Sequence, residues 1–521
     1  MLKAFHTPSR HAYLLIAALA ISGCRLQPTL QKDSLQGTKP NILFVISDDQ
    51  SYPYASAYGS KVIQTPAFDR IAREGILFTR AFAASPGCSP SRAALLTGLN
   101  CWQLRQAGTH ASSFPRQFMV FPDLLEKSGY FIGHTGKGWA PGDYKASGRQ
   151  RNPAGPLFSG KTLKSPEGIS NVDYAGNFAR FLSERPDDRP FFFWLGTHEP
   201  HRRFKKGIGL ERGMDPAQAD VPAFLPDVEE VRNDLLDYGV EIQWFDNQLG
   251  QALALLEKAG ELDNTVIVVT SDNGMPFPRA KANVYEYGIH VPLAIRWGAS
   301  VQGGRTSDDL INLIDLYRTF LDLADAPYPS YEVAGKSLLN ILSSQKSGII
   351  DSTRTAVFSS RERHSSSRWK NLGYPQRSIR TRQYLYIRNF KPERWPSGTP
   401  PSFHDIDQAP ERFVIYSGSD PRYAEYFRLA TAKRPAEELY DVIDDPVCLH
   451  NLAENSGHDS VLANLRGRLG AYLMQTLDPR VTGNGDIFES YPRLVGAMRE
   501  FPPPDHVKPD EADSSLNQLP E

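Results

Sequence analysis

Short, uninterrupted apolar runs punctuate this chain. Asn41–Ser47 is the first, and Tyr130–Thr135, Phe191–Thr197 and Thr265–Thr270 come after it. Runs of this length, rich in Val, Ile and Phe, predict strands buried on both faces. Between them, Pro122–Ser128 and Asp237–Ala259 place apolar residues at helical spacing, and Leu310–Ala324 does so later. The alternation predicts an α/β fold, a mostly parallel sheet sandwiched by helices. From about Thr353 the pattern changes. Strand-like pieces such as Arg382–Arg388 alternate with Pro- and Gly-rich loops. They predict a smaller α+β subdomain with an antiparallel sheet.

Each apolar run ends in residues capable of chemistry. Asp48 and Asp49 end the first, Lys137 the second, His198 and nearby His201 the third, and Asp272 and Asn273 the fourth. In open α/β sheets, ligands bind outside the carboxyl ends of the strands. Four such ends bearing ionisable or metal-binding groups predict one shared crevice. Asp48, Asp49, Asp272 and Asn273 offer only oxygen donors, which suit Ca2+ or Mg2+ rather than zinc or copper. Taken alone, Asn273-Gly274 also reads as a turn.

Between the first two runs stands Cys88-Ser89-Pro90-Ser91-Arg92, then Ala93-Ala94-Leu95-Leu96-Thr97-Gly98. Pro90 suits a first helical turn and Ser89 an N-cap, so a helix is predicted to start at the thiol. Arg92, one turn on, returns to the thiol side. Read without context, Cys88 is a buried free thiol near a helix start. The whole string, with the strand-end residues, resembles the signature of type I sulfatases of the alkaline-phosphatase-like superfamily.

That resemblance implies an alkaline-phosphatase-like fold and a specific chemistry. Cys88 is oxidised after translation to formylglycine (3-oxoalanine), whose hydrate is the nucleophile. Asp48, Asp49, Asp272 and Asn273, with an oxygen from residue 88, hold one divalent cation, calcium rather than magnesium. Arg92 orients the formylglycine hydroxyl, and Lys137, His198 and Lys281 surround the sulfuryl group. Maturation then needs a formylglycine-generating or an anaerobic sulfatase-maturating enzyme. Glu438-Leu439-Tyr440-Asp441 and Asn451-Leu452 match a late element of the family. Gly196–Arg202, Ser271–Pro278 and Gly373–Arg377 resemble its sulfamidase-like subgroup, which has Arg where Lys281 stands. Many members carry His where this chain has Trp139. The expected substrate is a sulfated polysaccharide or its oligosaccharides, as O- or N-sulfate. His201, Arg202, Trp139, Arg363, His364 and Arg377 are the candidate sugar contacts. The rival readings are a phosphonate or phosphodiester hydrolase of the same superfamily and a silent sulfated-glycan-binding surface protein.

Composition narrows the setting. The chain has 521 residues, too many for one ordinary core, and a net charge of −1, which gives no global case for nucleic acid. Residues 1–24 read as an export signal: cationic residues, an apolar run too short to span a bilayer, then Ile-Ser-Gly-Cys24, which resembles a bacterial lipobox. An exported lipoprotein of the periplasm or outer membrane, anchored through Cys24, is expected. Residues 25–39 read as a linker, 40–350 as the catalytic domain, 351–500 as the subdomain and 501–521 as a tail. Of the four cysteines, Cys101 and Cys448 are left as two thiols or one bridge.

Overall fold

The computed structural model describes residues 34–410, 412, 415 and 420–504. The expected export signal, the lipobox Cys24, most of the linker and the end of the tail lie outside the described residues. The main elements are, in chain order, β1 Asn41–Ser47, α1 Pro66–Glu74, β2 Ile76–Phe82, α2 Cys88–Thr97, α3 Phe121–Lys127, β3 Phe131–Gly136, α4 Tyr174–Glu184 and β4 Phe191–Gly196. They continue with α5 Glu229–Lys258, β5 Thr265–Ser271, β6 His290–Arg296, β7 Arg305–Ser307, β8 Ile311–Asn312, α6 Asp315–Ala324, β9 Val357–Arg361, β10 Gln376–Arg380, β11 Tyr384–Asn389, β12 Glu437–Asp441 and α7 Asp459–Gln475.

The eight-stranded sheet runs β3-β4-β1-β5-β6-β2-β7, with β8 also on β2. Its left half, β3-β4-β1-β5, is all parallel. Strand β6 pairs antiparallel with both β5 and β2. Strand β1 shows why the sequence runs apolar without a break. Ile42, Phe44 and Ile46 face a core built with α2, α3 and α6, while Leu43 and Val45 face one built with α1, α4 and α5. Phe44 meets Trp194 and Phe320 edge-on, at ring separations of 4.8 and 5.9 Å. Helices on both faces leave the strand ends free for function.

Boundaries move where local chemistry outweighs periodicity. Helix α5 begins at Glu229, ahead of the expected Asp237; its acidic first turn, Glu229 and Glu230, complements the helix N-terminus. Only Asp315–Ala324 of the expected Leu310–Ala324 is helical, because Ile311 and Asn312 pair with β2. Strand β11 starts at Tyr384 because Thr381 and Tyr384 close a turn through a 2.9 Å backbone hydrogen bond. Cys101 and Cys448 are both free and buried, so they form no bridge.

The second sheet is antiparallel, in the order β12-β11-β10-β9. Leu462, Leu465, Leu469 and Leu473 of α7 cover one face, against Ile379, Tyr386 and Leu439. On the other face, Leu385, Ile387 and Tyr440 pack on Phe82, Val284 and Tyr285. This apolar seam fixes the small sheet against the large one and holds its loops near the carboxyl ends of β1 and β5.

The structure corrects the expectation for Arg377 of β10. Expected on a sugar-binding wall, it is fully buried, with Nε donating to Asp478 Oδ2 at 2.6 Å and Nη2 to Glu362 Oε1 at 2.7 Å. Its role is to neutralise two buried carboxylates. Removing one partner of such a group strands charge in the interior, at a cost of about 3–5 kcal/mol. Arg377→Met should therefore lower the denaturation midpoint strongly, while the folded fraction keeps its KM; urea melts paired with KM measurements check this.

Candidate active site

The four parallel strands deliver their end residues to one place. At the end of β1, Asp49 sits in the left-handed region at φ 71. That conformation is uncommon for a residue with a side chain and must be held by its surroundings. Its amide donates to Asp272 Oδ1 at 3.1 Å and its carbonyl accepts from Tyr238 Oη at 2.9 Å. The result turns the Asp49 carboxylate beside those of Asp48 and Asp272, with ligand oxygens within 4.8 Å of one another. At the end of β3, Gly136 has φ 65, and a Cβ there would lie 2.1 Å from the Gly196 carbonyl. Only glycine lets β3 and β4 close up so that Lys137 and His198 emerge side by side.

Helix α2 supplies the thiol. Its N-cap is Gly87 rather than the expected Ser89, whose hydroxyl instead accepts from the Ala111 amide at 3.2 Å. The helix is seated on the strand ends by Ser91 Oγ, which donates to the Asp272 carbonyl at 2.6 Å. Cys88 is 1% exposed, with Sγ 3.8 Å from Asp49 Oδ1. Burial, then the charge of Asp48, pushes its thiol well above the ordinary range. As a plain cysteine it is not a ready thiolate nucleophile.

Cations interleave with the acids. Arg92 Nε donates to Asp272 Oδ2 at 2.6 Å, and its Nη1 donates to the carbonyls of Lys137 and Gly138 at 2.7 and 2.9 Å. Lys137 Nζ lies 2.5 Å from Asp48 Oδ2. Lys281 Nζ donates to Asp49 Oδ2 at 2.6 Å, to His201 Nε2 at 3.0 Å and to Asp407 Oδ2 at 3.1 Å. His201 accepts there because its Nδ1–H is directed at the Arg202 carbonyl, 2.7 Å away. Burial works against the charge on Asp48, yet Lys137 and Arg92 hold it well below the usual carboxylate range. His198 is pushed down to about 4 by burial and then by Lys137, so its imidazole is neutral at physiological pH.

The acids fit a hard cation. Among the described residues, Asp48 Oδ1 and Asn273 Oδ1 are buried acceptors without a hydrogen-bond partner. Asn273 faces the cluster, since its Nδ2 donates to Asp49 Oδ1 at 2.7 Å. Buried oxygens left unpaired around three carboxylates form a donor set for an oxygen-preferring metal ion.

Asp48, Asp49, Cys88, Arg92, Lys137, His198, Asp272, Asn273 and Lys281 thus come together. The candidate sugar contacts divide. His201 and Arg202 line the adjoining cavity. Arg202 is anchored by Asp234 and by the Pro276 carbonyl. His364 packs on the thiol's helix start, 3.2 Å from where a Gly87 Cβ would stand, and its ring lies 4.7 Å from that of His110. Trp139 is corrected: its indole is buried, donating to the Ser89 carbonyl at 3.0 Å and meeting Phe114 edge-on. It clamps the Lys137 loop to α2 and does not reach the cavity. Arg363 is likewise buried, spanning the carbonyls of His110 and Tyr491. Sequence reading missed Asp407, the partner of Lys281 from 126 positions further along the chain. It also missed the buried acids Glu199 and Glu241, which lie just after or within elements that read as ordinary.

Comparison with known proteins agrees with this geometry. The family model described as Sulfatase matches residues 40–326, and the model described as N-sulphoglucosamine sulphohydrolase, C-terminal, matches 279–412. The chain is 29% identical to N-sulphoglucosamine sulphohydrolase of Homo sapiens, over 92% of this chain and 96% of that protein. It is 23% identical to an ulvan-active sulfatase of Formosa agariphila, over 84% and 75%. A structure solved with its substrate D-glucosamine-2-N,6-O-disulfate superposes with a TM-score of 0.62 at 22% identity, covering 84% of this chain and 98% of that one. With the first family model spanning more than half its length, the protein belongs to the sulfatase family and is a sulfuric ester hydrolase.

Proposed function

We propose that this enzyme removes sulfate, O- or N-linked, from a sulfated carbohydrate, with Cys88 oxidised to formylglycine as the nucleophile-bearing residue and one calcium ion beside it. The observation that carries the reading is the meeting of Cys88 with three carboxylates and three basic groups at the ends of four adjacent strands. Similarity to the human sulphohydrolase over nearly its full length supports an amino-sugar sulfate as the first substrate to try.

The chain's own groups have distinct tasks. A sulfate monoester resists attack while its outer oxygens carry negative charge. Lys137 and Lys281 place fixed positive charge around the sulfuryl position, and preorganised donors of this kind are a major source of rate acceleration. Neutral His198 donates one hydrogen bond without adding charge. Arg92, locked by Asp272 and two carbonyls, keeps one guanidinium nitrogen without a hydrogen-bond partner among the described residues, available to the oxygen on residue 88. Asp48, Asp49, Asp272 and Asn273 would hold the cation, which when bound neutralises sulfate oxygens and acidifies a neighbouring hydroxyl. A maturase that oxidises Cys88, export through residues 1–24 and a lipid anchor on Cys24 complete the proposal.

Released sulfate, measured on N-sulfoglucosamine, N-acetylglucosamine-6-sulfate and ulvan oligosaccharides with an aryl phosphonate as the contrast, should appear with at least one sugar sulfate; turnover of the phosphonate alone would sink the reading. Mass spectrometry of the peptide containing residue 88 should find an aldehyde, and Cys88→Ala should abolish sulfate release without loss of fold. Lys281→Ala should lower kcat by on the order of 10²–10³-fold, as for removal of one oxyanion donor. Calcium at about 100 times its Kd should stabilise the chelator-treated protein by roughly 2.7 kcal/mol through linkage; Asp49→Asn should lose most of that thermal shift.

A further inference from the structure

A cavity of about 550 Å³ opens from the site, bounded by Lys137, His198 and His201 at one end and by Ser170, Glu199 and Glu241 on another wall. Its size is that of a small-molecule pocket. The end near the sulfuryl position carries Lys137 with Asp48 beside it, whereas the wall formed by Glu199, just after β4, and Glu241 of α5 presents two further acids.

The two acids on that wall differ. Glu199 is satisfied within the fold, accepting from the Ser170 amide and from Tyr174 Oη, each at 2.9 Å. Glu241 is 1% exposed, and its Oε1 is buried without a hydrogen-bond partner among the described residues. An acid retained only for structure would be expected to find partners in the fold, because leaving a buried polar group unsatisfied costs about 1–3 kcal/mol. Burial first, then Glu199 and Asp237, push its carboxyl up to about 9. At neutral pH it is a neutral acid, with one O–H to donate and oxygens that accept. Such a group matches a sugar hydroxyl, which also donates and accepts. It adds no negative charge to repel a sulfated ligand.

We infer that Glu241 is a specificity-determining residue, binding the sugar ring that bears the scissile sulfate through hydrogen bonds to a ring hydroxyl beside it. The inference rests on the proposed activity toward sulfated sugars and goes beyond it in naming the residue that reads the ring.

The test compares wild type, Glu241→Leu and Glu241→Gln on whichever sugar sulfate the wild type hydrolyses fastest, with Tm measured alongside. Loss of one good hydrogen bond to substrate is about tenfold in binding. Glu241→Leu should raise KM at least tenfold with kcat little changed, and should keep or raise Tm because an unpaired polar group has left the interior. Glu241→Gln, a neutral isostere, should return KM to within threefold of wild type. A smaller KM rise in Glu241→Leu, or no recovery in Glu241→Gln, overturns the assignment. Should the leucine variant not fold, Glu241→Ala is read by the same criteria. Absence of sulfate release by the wild type from every sugar tried would instead be failure of the functional reading, which separates the two.

Discussion

Arg92 ties the site together, and the acid cluster depends on it. Its side chain is wholly buried, yet it reaches Asp272 at the end of β5 and the carbonyls of Lys137 and Gly138 beyond β3, from a position one turn into α2. Burying an ion costs several kcal/mol unless its partners are in place. Here the guanidinium and the carboxylates remove that cost from one another, so the helix cannot shift without exposing unmatched charge on both sides. Lys137 and Lys281 extend the same balance to Asp48 and Asp49. The mutual neutralisation lets acids close enough to hold a metal ion, and bases close enough to face an anion, coexist in one buried cluster.

Much of this was legible because β-strands buried on both faces announce themselves. The runs beginning at Asn41, Phe191 and Thr265 could hardly be anything else, and the polar residues that end them had to meet once the strands were adjacent and parallel. Strands β2 and β6 escaped notice because β2 is interrupted by Thr79 and Arg80 and broken in register between Phe78 and Ala81. Trp139 and Arg377 show a different failure. Residue type suggested exposed sugar contacts, but burial depends on distant partners: Asp478 stands 101 positions from Arg377 and Ser89 stands 50 from Trp139. Asp407 was out of reach for the same reason, being 126 positions from Lys281. Local pattern places elements; it does not say which charges will be matched across the fold.

The two sheets divide the labour unequally. The large sheet and α2 provide the acids and bases gathered around Cys88. The smaller sheet sends in Asp407 and His364, and its buried arginines, Arg361, Arg363 and Arg377, are consumed in holding loops and carboxylates in place. The pocket has one end set by the strand ends and a periphery set by the Ser170 loop, the residues just after β4 and helix α5, all from the large part. Changes of substrate preference are more readily accommodated at the periphery, where a side chain such as Glu241 carries no part of the acid–base balance around Arg92.

The enclosure of Cys88 has a consequence for timing. A thiol 1% exposed, walled in by α2, the Lys137 loop and the strand ends, offers no path to another protein's active center once the chain has folded. If residue 88 is to become an aldehyde, that conversion belongs to the nascent or unfolded polypeptide. The fold then acts as a deadline: each molecule that collapses before it has been modified is sealed in its unconverted form.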